Sequence, residues 1–349
     1  MANRDLVVIG GSAGAIRPLT TILGALPPTL PAAILVVIHI PSESPGVFRT
    51  IAAAASALPV KEAEHEMLIE RGTIYVARAN RHLLVMDGRL HLGRGPRENL
   101  VRPAIDPLFR SAALAAGPRV IGVILSGMLN DGASGLAAIK SCGGIALVQA
   151  PHHASASEMP LAALEASPVD LSAPPEELAS AMQRYVNEAP GPERAGPPGL
   201  KVDVDIAAGA VTHPESGESP AKATTLTCPD CGGVLSEIDG DRPLRFRCQV
   251  GHAFSAQALL RKQEGQVDEA MRIALRIIEE RATLVERMAR DALQTGRQGM
   301  AEMYDRRAAE YRSYAESLRG AVLLRMEAAD SSEAESVVAS EVRMPEAPE

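Results

Sequence analysis

Four short apolar runs constrain the fold of this chain more than any other feature. They are Leu6 to Ile9, Ile34 to Ile38, Arg119 to Leu125 (apolar after its first residue) and Ile145 to Val148. A strand with one wet face alternates between apolar and polar residues, whereas an uninterrupted apolar run belongs to a strand covered on both faces. Helical segments separate the runs: Ala15 to Leu26, Pro45 to Ala57, Ile105 to Ala116, Gly135 to Ser141, Glu158 to Ala166 and Pro174 to Val186. Strand and helix in alternation predict an α/β fold, a doubly wound, mainly parallel sheet with helices on both faces, spanning residues 1–187. A short strand is expected over Thr73 to Val76. A hairpin is expected where Asp87-Gly88 separates His82 to Met86 from Arg89 to Leu92.

The rest of the chain reads differently. Residues 188–223 are rich in Pro, Gly, Ser and Glu and predict a flexible linker. Such a linker implies few contacts across it, so residues 1–187 are expected to fold and act alone. Residues 224–255 form a small Cys-rich module. Residues 256–326 carry apolar residues at helical spacing, interrupted at Gly296 and Gly299, and predict a helical hairpin. Residues 327–349 are acidic and rich in small residues, and are expected to be disordered.

With no Trp, 4 Phe and 5 Tyr, the core must be aliphatic. The formal net charge of −8 argues against a general nucleic-acid binder. No apolar stretch approaches the roughly 20 residues of a membrane span, and Leu6 to Ile9 is too short for a signal-peptide core. No membrane insertion is expected, and the expected location is cytoplasmic.

Three of the four strand ends carry chemistry. Gly10-Gly11-Ser12-Ala13-Gly14 follows the first strand and opens a helix. A serine in such a turn stands at the carboxyl end of the strand, and the helix behind it aims backbone amides at the site. Taken alone, a Gly-rich turn after a first strand is more often a phosphate cradle, and the motif by itself favours nucleotide binding. The second strand ends in His39-Ile40-Pro41, where a dinucleotide fold wants an acidic residue; an imidazole there is a general base or a structural histidine. The third runs into the loop from Ser126 to Gly135, with Asp131 able to orient an imidazole or to cap the next helix.

Residues 4–187 resemble the catalytic domain of the chemotaxis protein-glutamate methylesterase (CheB) family. The resemblance is carried by Ile9 to Gly14, by His39-Ile40-Pro41, by Arg102-Pro103-Ala104-Ile105-Asp106-Pro107-Leu108-Phe109, by Gly122 to Met128 and on to Gly135, and by Met159-Pro160. It implies a catalytic triad of Ser12, His39 and Asp131. It also implies hydrolysis of glutamate γ-methyl esters, with deamidation of glutamine in some members, on methylated chemoreceptors. The Met128 amide, by family analogy, and the Ala13 amide, from its place after the nucleophile, are oxyanion-hole candidates. No cofactor is expected for catalysis. Many members have Ser-Thr-Gly-Gly where this chain has Ser12-Ala13-Gly14-Ala15, and Gln where it has Ile38; both changes bear on substrate choice more than on chemistry. Classical members begin with a receiver domain. This chain starts at the first catalytic strand, so control by its own receiver is not expected.

A second constellation lies in the Cys-rich module. Cys228-Pro229-Asp230-Cys231 precedes Cys248-Gln249-Val250-Gly251-His252, with sixteen residues between the pairs. Two soft pairs at that spacing suit tetrahedral Zn²⁺ in a closed, structural site. Cys142 stands apart in a Gly-rich turn. The alternative to an enzyme is a catalytically weak CheB-like signalling or adaptor protein, acting through its zinc module and C-terminal helices on a protein partner or by self-association. A nucleotide-binding α/β protein is the third reading.

Overall fold

The computed structural model describes residues 3–39, 47–210, 221–238 and 242–342. The first half of the chain forms, in order, β1 (Leu6–Gly11), α1 (Ile16–Ala25), β2 (Ala33–Ile38), α2 (Val47–Ala55), β3 (Val60–Glu62), β4 (Met67–Leu68), β5 (Ile74–Val76), β6 (His82–Met86), β7 (Arg89–Gly93) and α3 (Ile105–Ala116). It continues with β8 (Val120–Ile124), α4 (Ala133–Ser141), β9 (Ile145–Gln149), α5 (Glu158–Ala166), β10 (Leu171–Ala173), α6 (Pro175–Val186) and α7 (Leu200–Ala208). Seven strands form one parallel sheet in the order β10-β9-β8-β1-β2-β5-β3. The winding reverses between β1 and β8, which opens the crevice where sites of such sheets lie.

The continuous apolar strands divide their side chains between two cores. Val7, Ile9, Ile34 and Val36 pack with α1 and α6 on one face. Val8, Leu35, Val37 and Val148 pack with α3 and α4 on the other. Gly10 is required by the second packing: a Cβ there would come within 2.3 Å of Ile105 Cγ2, so the missing side chain lets the start of α3 lie against β1. β4, β6 and β7 form a small antiparallel sheet, and the β6–β7 turn has positive φ at both Asp87 and Gly88. This is the primed turn that Asp-Gly predicts.

The remaining elements are β11 (Ala221–Thr227), β12 (Val234–Ile238), β13 (Arg245–Cys248), β14 (Ala253–Ser255), α8 (Ala256–Gln294) and α9 (Gln298–Val342). β11 to β14 make a four-stranded antiparallel ribbon. The chain divides into two compact units, residues 1–260 and 261–349. The ribbon therefore belongs with the α/β sheet rather than standing apart.

The expectation of a flexible linker over 188–223 fails in its middle. Leu200, Val204, Ile206 and Ala207 of α7 are buried, and Arg94 and Gly95 donate backbone hydrogen bonds to Ala208 and Ala207. Asp203 of α7 accepts from Arg110, Arg245 and Arg247 at 2.6, 2.9 and 2.5 Å. Arg110 also pairs with buried Glu98. One buried network thus joins α3, α7 and the ribbon. Asp203 is held well below the usual carboxylate range: burial alone would raise it, but Arg247, Arg245 and Arg110 outweigh that. The linker residues 211–220 lie outside the described residues.

In the second unit, α8 and α9 pack as a helical hairpin turning at Gly296. Buried alanines line the seam, Ala282 and Ala289 on one helix and Ala301, Ala308 and Ala315 on the other. Arg312–Glu286 and Arg319–Glu279 ion pairs cross it. α9 continues to Val342, into the stretch where disorder was expected; residues 343–349 lie outside the described residues.

Candidate active site

Strand register brings the candidate residues together. Gly11 of β1 pairs with Ile38 of β2, so the next residues, Ser12 and His39, stand side by side where the strands end, one strand spacing of about 4.8 Å apart. The His39 amide donates to Gly11 O at 3.1 Å, continuing the pairing. On the other flank, Ser12 N donates to Ser126 O at 2.9 Å beyond the end of β8. Ser12 is half-buried, and among the described residues its hydroxyl has no hydrogen-bond partner. Ile40 and Pro41 of the histidine motif lie outside the described residues.

His39 Nε2 lies 2.9 Å from Asp131 Oδ2. The carboxylate also accepts from the Ile105 amide at 2.6 Å, the Asp106 amide at 3.2 Å and Asn99 Nδ2 at 2.9 Å. Ile105 and Asp106 open α3, so Asp131 sits at a helix N-terminus, where unpaired amides and the helix dipole favour a negative charge. Burial pushes Asp131 up, but the bonds from His39, Ile105 and Asn99 overcome this and hold it below its ordinary value. An ionised Asp131 can only accept, so Nε2 carries the imidazole proton and Nδ1 is the basic nitrogen. Asp131 does not cap α4; the first turn of that helix is met by Asp106, whose Oδ1 accepts from the Gly135 amide at 2.7 Å.

The loop after β8 is held on all sides. Ser126 Oγ donates to Ala13 O at 2.7 Å and accepts from the Ala156 amide at 2.9 Å. Gly127 N donates to Ala156 O, and Leu129 N to Glu158 Oε2. Among the described residues the Met128 amide between them has no acceptor. The same holds for Ala13 and Gly14, between the engaged amides of Ser12 and Ala15.

Two neighbours escaped the sequence reading. Asn99 Nδ2 bridges Asp131 and Asp106, and Asn99 Oδ1 accepts from the Ser255 amide at 2.9 Å. Buried His82 holds the same segment, with Nε2 2.8 Å from Pro96 O and Nδ1 accepting from the Ala104 amide. Burial lowers the His82 pKa, so the ring is neutral and works as a staple. Neither residue sits in a recognisable motif, and only the fold brings their partners close.

Asp106 differs from Asp131. Burial, and then the Asp131 charge, push its carboxyl up to about 7. Between the ordinary aspartate value and that point the native state keeps a proton that the unfolded chain has released. Stability should therefore fall as pH rises from about 4 to about 7 and level off above that. Urea unfolding across this window, compared between wild type and Asp106→Asn, checks it: the variant should lose that part of the slope, and identical slopes would refute the assignment.

A groove of about 400 Å³ opens beside His39, lined by Arg97, Arg102, Asn80 and Leu100 among others. Burial and the nearby charges of Arg81 and Arg97 lower the Arg102 pKa, so positive charge is concentrated here.

The ribbon's four candidate ligands also converge. One donor atom from each of Cys228, Cys231, Cys248 and His252 lies within 4.8 Å of the others. The Cys231–Cys248 sulfurs are 3.6 Å apart, and His252 Nδ1 lies 3.8 and 3.5 Å from the sulfurs of Cys228 and Cys248. A zinc tetrahedron with Zn–S of about 2.3 Å and Zn–N of about 2.0 Å has edges of about 3.5–3.8 Å. The four residues therefore fit such an ion.

The sequence pattern of the CheB methylesterase family matches residues 7–182. A relative in Leptospira interrogans, named as a candidate protein-glutamate methylesterase/protein-glutamine glutaminase, is 42% identical over 169 residues, 48% of this chain and 88% of that protein. A protein-glutamate methylesterase/protein-glutamine glutaminase of Anaeromyxobacter dehalogenans is 38% identical over 182 residues, and the match spans 53% of its length. The crystal structure of the Thermotoga maritima CheB methylesterase catalytic domain superposes with a TM-score of 0.50 at 30% identity, covering 53% of this chain and 99% of that one. With half of its length matched by the family pattern and a long, well-conserved relative beside it, the chain belongs to the CheB methylesterase family.

Proposed function

We propose that this protein is a serine hydrolase that cleaves glutamate γ-methyl esters on chemoreceptor-like signalling proteins, with glutamine deamidation as the companion reaction. Ser12 is the nucleophile, His39 the base and Asp131 the acid. The observation that carries the reading is the 2.9 Å His39–Asp131 contact set beside Ser12 at three adjacent strand ends. Ser12 Oγ attacks the ester carbonyl as His39 Nδ1 takes its proton. The imidazolium, stabilised by Asp131, then protonates the departing methoxide to release methanol. Water, activated by the same imidazole, hydrolyses the acyl-enzyme to glutamate and frees Ser12. The amides of Ala13 and Met128, unengaged among the described residues, suit the oxyanion. The arginine-lined groove beside His39 suits an acidic protein segment.

In the ribbon, Cys228, Cys231, Cys248 and His252 hold a structural Zn²⁺. The α8–α9 hairpin leaves Ile277, Leu284, Leu293 and Leu323 exposed, which supports docking to a partner protein or self-association. No helix among the described residues is long and apolar enough to cross a membrane; the proposed location is the cytoplasm.

Methanol release from methylated receptor fragments tests the activity, and its absence with purified protein would remove the esterase reading. Asp131→Asn tests the triad. It should lower kcat by roughly 10⁴-fold, because an amide favours the wrong imidazole tautomer and removes the charge that stabilises imidazolium. An Asp131→Asn enzyme with wild-type kcat would leave Asp131 a structural role only.

A further inference from the structure

The metal-ligand ribbon is joined to the acid of the triad. His252 is followed by β14, and β14 lies against the segment that carries Asn99. Ala253 N donates to Arg97 O, Asn99 N donates to Ala253 O at 3.0 Å, and Ser255 N donates to Asn99 Oδ1 at 2.9 Å. Ser255 Oγ donates to Asn130 Oδ1, on the loop that carries Asp131. Leu100 packs into the ribbon core with Cys228, Cys248 and Phe254. Asn99 and Leu100 both have positive φ, at 48° and 73°, a bend that needs support from outside.

The chemistry of the Asn99 amide gives this docking a consequence. Its nitrogen must face Asp131, because its oxygen in the same place would repel that ionised carboxylate; the other N–H reaches Asp106 Oδ2. The Ser255 N–H fixes that orientation by claiming the oxygen. The start of β14 is in turn set by the Cys248–His252 loop, closed by Cys248 N donating to His252 O at 3.0 Å. The ribbon's own apolar cluster is small, with Leu235, Phe246, Phe254 and Leu259 around two of the cysteines, so the ligand loops lean on the cross-link a metal would supply.

We propose that metal occupancy of the Cys228–Cys231–Cys248–His252 site controls the hydrolase by positioning Asn99 against Asp131, so that the enzyme is active with zinc bound and weakened without it. Asn99 is a positioning residue: it touches Asp131 and acts on the substrate only through His39. The inference rests on the triad reading above.

The test uses the full chain, with zinc measured per chain, then stripped by a chelator and restored. Three readouts are taken: the rate of fluorophosphonate labelling at Ser12, amide hydrogen exchange at residues 97–101 and 129–131, and far-ultraviolet circular dichroism. Stripping should slow labelling at least about ten-fold and raise exchange in both segments, while helix content stays near its starting value, and zinc should reverse all of it. Failure to bind one zinc per chain, or equal labelling and exchange with and without metal, would overturn the proposal. Asn99→Gly keeps the left-handed backbone and removes the bridge. It should retain full zinc, label slowly, and move the acidic limb of the labelling pH profile upward as Asp131 loses a donor. Wild-type labelling and profile in that variant would also overturn the proposal. If zinc-loaded wild type does not label at all, the hydrolase reading fails, and the exchange comparison alone still decides whether the metal orders Asn99.

Discussion

Ser12→Ala is expected to lower kcat for a model ester by roughly 10⁶-fold, the scale of nucleophile loss in serine hydrolases, while leaving the fold intact. The stability expectation comes from its place: a half-buried side chain at a strand end, with no hydrogen bond from its hydroxyl among the described residues. Residual rate would come from the oxyanion amides and binding alone. The drop should exceed that of Asp131→Asn, and fluorophosphonate labelling should vanish. An alanine variant that turns over at the wild-type rate would place the nucleophile elsewhere.

The second large effect concerns stability. Asp203→Ala should destabilise the protein by about 3–5 kcal/mol, the cost of breaking a buried ion pair from one side. Asp203 neutralises Arg110, Arg245 and Arg247, and Arg110 and Arg245 are 2% and 3% exposed. Removing the carboxylate leaves Arg110 with Glu98 as its close anionic partner among the described residues and takes one partner from Arg245 and from Arg247. Urea unfolding measures the loss; a change below about 1 kcal/mol would mean that water reaches the arginines. The same network changes the expectation for a chain cut after residue 187. Such a fragment lacks Asp203, α7 and β14, so Arg110 loses a partner and Asn99 loses Ser255. It should be less stable and less active than the full chain.

What the sequence made legible follows from range. The parallel sheet was readable because each buried strand is a local apolar run, and the hairpin because Asp87-Gly88 adopts its turn without outside help. Ser12, His39 and Asp131 could be singled out because each closes a strand or lies in a Gly-rich loop after one. α7 was missed because Val202, Val204 and Ile206 alternate like a strand and Pro/Gly residues precede them. Its helical state is decided by partners such as Arg110, 93 residues away. Asn99 was missed for the same reason: its loop looks ordinary, and its chief fixing contact, Ser255, is 156 residues along the chain. In the helical hairpin the fully buried seam residues are alanines, with Leu275, Ile278 and Val285 half-buried beside them.

The spread of these contacts along the chain sets the order in which a nascent polypeptide can complete the site. Ser12 and His39 meet as soon as β1 and β2 pair, once synthesis has passed His39. Asp131 is 92 residues beyond His39, so it arrives after a long interval of synthesis. The Ser255 amide that orients Asn99 comes later still. A chain stalled before residue 255 therefore holds all three triad side chains without the strand that locks them, and translation must pass the ribbon before the site is fixed.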